Sequence, residues 1–295
     1  MSFTVARSFV PSAALLLPVL TLGSASALES TQVEIRPLGS AYSQGATIPA
    51  AVPATLNLPS GGSRLPVVLI VHGSGGVDGR GQFHAEALNA AGIATLEVNM
   101  WKPRGVTGPQ NRPRHVMDTM PDVWGAWKFL ADHPRIDPEK IGMMGFSWGG
   151  VASMLAAFDL KPAGMPPELA AARFAAFAPF YPVCTLYMPG GLARALLEKG
   201  KPTGAPMLLQ TGTRDDYEIH PLACQRMATE FPSLPLTLVM IEGATHAFDG
   251  LGNATFTDRS AKNGRGAEVR FIANPPAAAK ARADAVAFFR KVFSL

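Results

Sequence analysis

Lys140-Ile-Gly-Met-Met-Gly145-Phe-Ser147-Trp-Gly149-Gly150-Val-Ala-Ser-Met-Leu-Ala-Ala157 decides how this chain is read. The first five residues are a short, mostly apolar run with strand character. The residues after Gly150 have helix character. A serine flanked at two residues on each side by glycine, at a strand-to-helix turn, has the pattern of a nucleophile elbow. Such a turn is so tight that side chains two before and two after the serine would strike neighbouring backbone. Gly145 and Gly149 remove those side chains. The turn lifts the Ser147 hydroxyl above the sheet edge, over a helix N-terminus. An esterase-type hydrolase with Ser147 as nucleophile is therefore the first expectation.

Outward from the elbow, apolar runs and helical patterns alternate. Leu65–Val71 is apolar on both faces, as suits the middle of a parallel sheet covered by helices. Residues 31–37 and 51–59 read as edge strands. Ile93–Asn99, Phe174–Phe180, Pro206–Thr211 and Leu236–Ile241 read as further strands. Helices are predicted over 82–91, around Trp124–Leu130, after the elbow, and over 277–293. This alternation predicts an α/β fold with a mostly parallel central sheet of about eight strands and helices on both faces. No linker or internal repeat divides the chain, so residues 28–295 are read as one domain.

The first 27 residues are read differently. Arg7 is their one charge, a proline-broken apolar run follows, and Ala25-Ser-Ala27 is a small-x-small site. This predicts a secretory signal peptide over 1–27, cleaved near Ala27, and a secreted or periplasmic protein with no membrane association after cleavage. The 295 residues carry a net charge of +4 and a sequence pI near 9.2, but no long Lys/Arg run. Nucleic-acid binding is not expected, because such proteins concentrate their charge.

A serine nucleophile needs a base and an acid, and in this kind of sheet they follow it in the order acid, then histidine. Asp215-Asp216 follows the 206–211 strand. Asp215 is the first choice for the acid and Asp216 the alternative. His246 follows the 236–241 strand and is the expected base. His220 lies only five residues past Asp215 and is read as peripheral. His72, His84, His115 and His133 precede the acid. Two backbone amides should face the developing oxyanion. Trp148 supplies one, and the loop His72-Gly-Ser-Gly-Gly76 the other, from Ser74 or, failing that, Gly75. That loop is no dinucleotide fingerprint, since its third glycine would fall on Asp78. No Walker A, His-Glu-x-x-His or Cys-x-x-Cys sequence occurs, and nothing calls for a cofactor or a metal.

Lys102, Arg104, Arg112 and Arg114 crowd the loop after the 93–99 strand. Arg104, with Tyr217 from the acid loop, is the candidate substrate contact, because a guanidinium can hold a carboxylate with two hydrogen bonds. Cys184 and Cys224 are the two cysteines present. Sent to an oxidising compartment, they are expected to pair.

His72-Gly-Ser-Gly-Gly76, Gly145-Phe-Ser-Trp-Gly-Gly150, the Gly212-x-x-Asp215-Asp216 loop and Gly243-Ala-Thr-His246-Ala-Phe-Asp249 together resemble the dienelactone hydrolase family of α/β-hydrolases, from about residue 45 to the C-terminus. The best-known members use a cysteine nucleophile where this chain has Ser147. The resemblance implies a compact, lid-poor site and small ester or lactone substrates. Two further readings remain beside it. One is a serine peptidase related to prolyl oligopeptidases, for whose large extra domain the chain has no room. The other is a non-catalytic binding protein on a hydrolase scaffold, which would normally have lost one of the three reacting groups.

Overall fold

A computed structural model describes residues 28–295 apart from Pro109 and Leu192. The leader reading of residues 1–27 lies outside the described residues. The elements run β1 (Leu28–Ile35), β2 (Val52–Pro59), β3 (Leu65–Val71), α1 (Arg80–Ala90), β4 (Ala94–Val98), α2 (Met120–Ala131), β5 (Ile136–Phe146), α3 (Trp148–Ala157), β6 (Ala176–Phe180), α4 (Arg194–Leu197), β7 (Met207–Gly212), α5 (Ala223–Glu230), β8 (Leu236–Ile241), β9 (Ala254–Asp258), α6 (Ala261–Gly264), β10 (Ala267–Phe271) and α7 (Pro275–Phe293).

β1 to β8 form one sheet in the order β1-β2-β4-β3-β5-β6-β7-β8. At one end β2 runs antiparallel to both of its neighbours, β1 and β4, and the remaining pairs of this sheet are parallel. β3 shows why a doubly apolar strand belongs at the centre. Val67, Leu69 and Val71 pack with α2, α3 and α5 residues such as Trp124, Met154 and Met227. Val68 and Ile70 point the other way, to Leu88 of α1 and Phe289 of α7. Two cores of this kind are what a parallel sheet with helices on both faces requires. Among the described residues no helix is long and apolar enough to cross a membrane.

Two departures matter. β5 starts four residues before the expected strand, because Leu65 pairs with Ile136 ahead of a register shift. The polar run Asp137-Pro-Glu-Lys140 hides that beginning from an apolarity reading. The β9–β10 hairpin and α6 were not anticipated. The hairpin stands apart from the main sheet and is pinned by contacts made through Tyr217, Val269 and Phe271.

Because β3, β5, β7 and β8 are parallel, the loops that leave them share one edge of the sheet. A ligand binds at such an edge in open α/β sheets.

Candidate active site

The elbow is built by exclusion. A Cβ on Gly145 would lie 2.1 Å from the Gly149 carbonyl oxygen, and one on Gly149 2.1 Å from that of Val71. Ser147 itself takes φ 50° and ψ −105°, a backbone state non-glycine residues rarely hold. It is held there because its amide donates to Phe180 O at 3.0 Å and Gly149 N to His72 O at 3.2 Å. The Trp148 amide between them donates to no carbonyl among the described residues.

His246 joins the other two groups. Its Nε2 lies 2.8 Å from Ser147 Oγ, and its Nδ1 2.6 Å from Asp215 Oδ2. Both side chains are essentially buried. Asp215 can only accept, so the network assigns the proton to Nδ1 and leaves Nε2 to accept from the serine hydroxyl. That is the tautomer a general base needs. The second Asp215 oxygen accepts the Tyr217 amide at 2.9 Å. Asp216 faces away and takes Arg270, with contacts of 3.1 to 3.2 Å. His220 Nδ1 accepts the Leu222 amide at 3.0 Å in a local turn.

Three aromatic rings hold the imidazole of His246, with centroids at 4.4 Å for Tyr217, 4.7 Å for Tyr181 and 5.5 Å for Phe271. Tyr217 is tied to the hairpin by its hydroxyl, which donates to Asp258 at 2.8 Å.

The glycine loop closes on itself through Gly76 N to Gly73 O at 3.0 Å, with Ser74 and Gly75 at its tip. Trp101 Nε1 donates to Ser74 O at 3.0 Å and so fixes the tip. His72 anchors the base of the loop. It donates from Nδ1 to Gly73 O at 2.8 Å and accepts the Met100 amide at Nε2 at 3.0 Å. Burial pushes its pKa down to about 4 and keeps it neutral.

A cavity of about 300 Å³ opens at Ser147. Met117, Val151, Leu155, Leu186 and Leu196 give it apolar walls, with Ser74, Trp148 and Tyr217 also lining it. Of the two candidate loop residues, Ser74 lines the cavity and Gly75 does not. Arg112, Arg114 and Arg259 supply its basic rim.

Arg104 is corrected by this geometry. Its guanidinium turns away from the cavity and grips Asp122 of α2 at 2.6 and 3.0 Å, with Met100 O at 2.9 Å. Both side chains of that pair are buried. The basic loop does reach the site, through Arg112 and Arg114, and Arg112 makes the contacts with the site's own residues. That guanidinium stacks on the Trp148 ring at 5.3 Å, donates to Ser260 Oγ at 3.0 Å, and lies 3.9 Å from Asp258.

Cys184 and Cys224 form a disulfide, with Cα atoms 4.9 Å apart. Glu218 connects the bridge to the acid loop. Its carboxylate accepts the amides of Cys184 at 2.5 Å and Thr185 at 2.8 Å, while its own amide donates to Asp215 O at 3.1 Å. Among the described residues, the cluster of metal-ligand types is Cys184, Glu218 and Cys224, and its two sulfurs are already bonded to each other.

The sequence reading missed Arg80, Tyr181 and the hairpin residues Asp258 and Phe271. Asp249, three residues after His246, was visible in the motif but had no assigned partner.

Fold and site together define an α/β-hydrolase. Within that class the chain belongs to the dienelactone hydrolase family, whose model matches residues 52–293. It is a carboxylic ester hydrolase of that family. Among solved structures it is similar to a dienelactone hydrolase-like promiscuous phosphotriesterase from metagenomic libraries, with TM-score 0.60 and 16% identity over 90% of this chain and 99% of that one. It is also similar to Thermogutta terrifontis esterase 2 phosphorylated by paraoxon, with TM-score 0.61 and 18% identity over 94% and 98%. A hyperthermophilic esterase from the archaeon Pyrobaculum calidifontis follows the same fold, with TM-score 0.51 and 17% identity over 75% and 78%. No curated protein matches the chain.

Proposed function

We propose that the chain is a secreted serine esterase that cleaves small carboxylic esters or lactones through an acyl-enzyme. The observation that carries this reading is the imidazole of His246, hydrogen-bonded to Ser147 Oγ on one side and Asp215 on the other at the mouth of an apolar cavity. Ser147 Oγ attacks the ester carbonyl carbon and gives its proton to His246 Nε2. The carbonyl oxygen becomes an oxyanion facing the amides of Trp148 and Ser74. Collapse breaks the carbon–oxygen bond, and His246 returns the proton to the leaving alcohol. Water then attacks the acyl-serine with His246 again as base, which releases the carboxylic acid and restores Ser147. Asp215 holds the tautomer and stabilises the imidazolium without taking a proton.

The cavity volume suits a short or compact acyl group, and its apolar walls disfavour a charged one there. An anionic group on the substrate would be met at the rim by Arg112. Secretion is supported by the leader-like sequence of residues 1–27 and by the disulfide. One similar structure is a promiscuous phosphotriesterase and another an esterase phosphorylated by paraoxon, which motivates trying phosphorus esters as covalent reagents toward Ser147.

The test is a fluorophosphonate label, followed by a panel of short-chain aryl esters, lactones and amides. Labelling on Ser147, with ester turnover and little amide turnover, supports the reading. Preferential amide cleavage would replace it by a peptidase, and an unlabelled, inactive folded protein by a binding role.

A further inference from the structure

Behind the reacting groups lies a polar network, buried except at Asp78, that the mechanism above does not use. Arg80, the first residue of α1, has a side chain only 7% exposed. Its Nε donates to both oxygens of Asp78 at 3.0 Å, and its Nη2 also pairs with that carboxylate. From its other branch, Nη1 donates to the Tyr181 hydroxyl at 3.1 Å. Tyr181 donates in turn to Asp249 Oδ1 at 2.6 Å, and the second Asp249 oxygen meets His84 Nε2 at 2.9 Å. Tyr181, His84 and Asp249 are all buried.

The network touches both halves of the site. Asp78 ends the glycine loop, and a Cβ on Gly73 would sit 3.6 Å from Arg80 Nη2 and 3.5 Å from Ser147 Cβ. Arg80 thus lies directly beneath the loop that presents Ser74. At the other end, the Tyr181 ring packs against the His246 imidazole, and Asp249 closes the loop that carries His246. Tyr181 at φ 37° and Ala247 at φ 55° both hold left-handed backbone, which persists only where surrounding bonds over-determine it. Burying this many charges costs more than an apolar filling would. The arrangement therefore earns its place through the geometry it imposes.

We propose that Arg80 and Tyr181 are positioning residues that lock the oxyanion loop and the base into one register. The Tyr181 hydroxyl is the joint between them. The proposal rests on the serine-esterase reading and deepens it. It makes the network matter for the tetrahedral state and little for substrate binding.

The experiment compares wild type, Tyr181→Phe and Arg80→Lys. Tyr181→Phe keeps the ring on His246 and removes only the joint. Arg80→Lys keeps the charge but cannot hold Asp78 and Tyr181 together. Each protein is assayed for kcat and KM on an aryl ester, and for inhibition by an aryl boronic acid, which forms a tetrahedral adduct on Ser147, and by the product carboxylate. In Tyr181→Phe, kcat should fall about 10- to 100-fold and boronate affinity by a similar factor. KM and carboxylate affinity should change less than about two-fold, the mark of an interaction made in the transition state. Arg80→Lys should show the same split. If Arg80→Lys does not fold, Tyr181→Phe decides alone. A folded Tyr181→Phe with wild-type kcat and boronate affinity overturns the proposal, as does an equal loss for both inhibitors. A wild type that is neither labelled by fluorophosphonate nor active on esters fails the esterase reading first and takes this proposal with it.

Discussion

Ser147 and Asp215 sit on opposite sides of one imidazole, and their replacements should fail in different ways. Ser147→Ala removes covalent catalysis and should lower kcat on the order of 10⁴- to 10⁶-fold while the fold persists. Asp215→Asn should cost about 10⁴-fold, because an amide at the position of Oδ2 favours the wrong tautomer of His246. Asp216→Asn should lose only its pairing with Arg270 and stay within a few-fold of wild type. Steady-state rates on one aryl ester check all three, and the reverse order for the two aspartates would exchange their roles. His72 makes a different kind of prediction. Burial keeps it neutral in the folded protein down to about pH 4, whereas its ordinary value is 6.5. Between these values the unfolded chain binds the extra proton. Stability should therefore fall as pH drops from 6.5 to 4, by about 3 kcal/mol, and not change further from this source. Half-buried Glu97 and buried Asp122, with pKa values raised to about 7 and 6, act with the opposite sign. The measurement is therefore the difference in urea stability between wild type and His72→Asn at pH 7 and pH 4.5. A constant difference would show that His72 does not carry the effect.

At the scale of elements, the strands were legible where burial decides composition. β3 and β8 begin and end where their apolar runs do. The order Ser147, Asp215, His246 was legible for the same reason, since each follows a recognisable strand on a common sheet edge. The β9–β10 hairpin was not. Its apolar residues Phe256, Val269 and Phe271 are scattered among glycine and charged positions, and they gain a reason to be apolar only against Tyr217 and His246. Nor does sequence say which arginine of a basic loop turns inward. Arg104 is captured by Asp122, a partner on the following helix, and this leaves Arg112 and Arg114 at the cavity, with Arg112 stacked on Trp148. The two arginines should separate cleanly. Arg112→Ala should lower kcat/KM for an ester carrying a carboxylate about ten-fold more than for its neutral analogue, as loss of one charge-assisted pair predicts. Arg104→Ala should show no such preference. It should instead destabilise the fold by about 3–5 kcal/mol, since it strands a buried carboxylate, with thermal unfolding as the readout. Equal substrate effects for both variants would remove Arg112 from recognition.

At the scale of the whole molecule, Ser147, Asp215 and His246 meet although they follow strands far apart in sequence, and the loops that carry them must be held separately. The bond between Cys184 and Cys224 spans a sequence separation of 40 and closes the segment that holds β7 and Asp215. Replacing both cysteines by serine should cost about 4 kcal/mol by the chain-entropy estimate and lower the thermal midpoint by roughly 7 °C. Calorimetry checks this, and an unchanged midpoint would mean that Glu218 alone suffices to hold the acid loop. The burial of the bridge has a consequence for the history of each molecule. Both cysteines are at most 2% exposed, so an oxidase or a reductant reaches the finished bridge only when the segment around it opens. It must be made while the chain is still partly open, and it then becomes a record of where that opening took place. Copies matured among reducing agents and copies matured outside the cell would be two lasting populations with one sequence. Mixing them later in either environment would not make them alike until that segment opened.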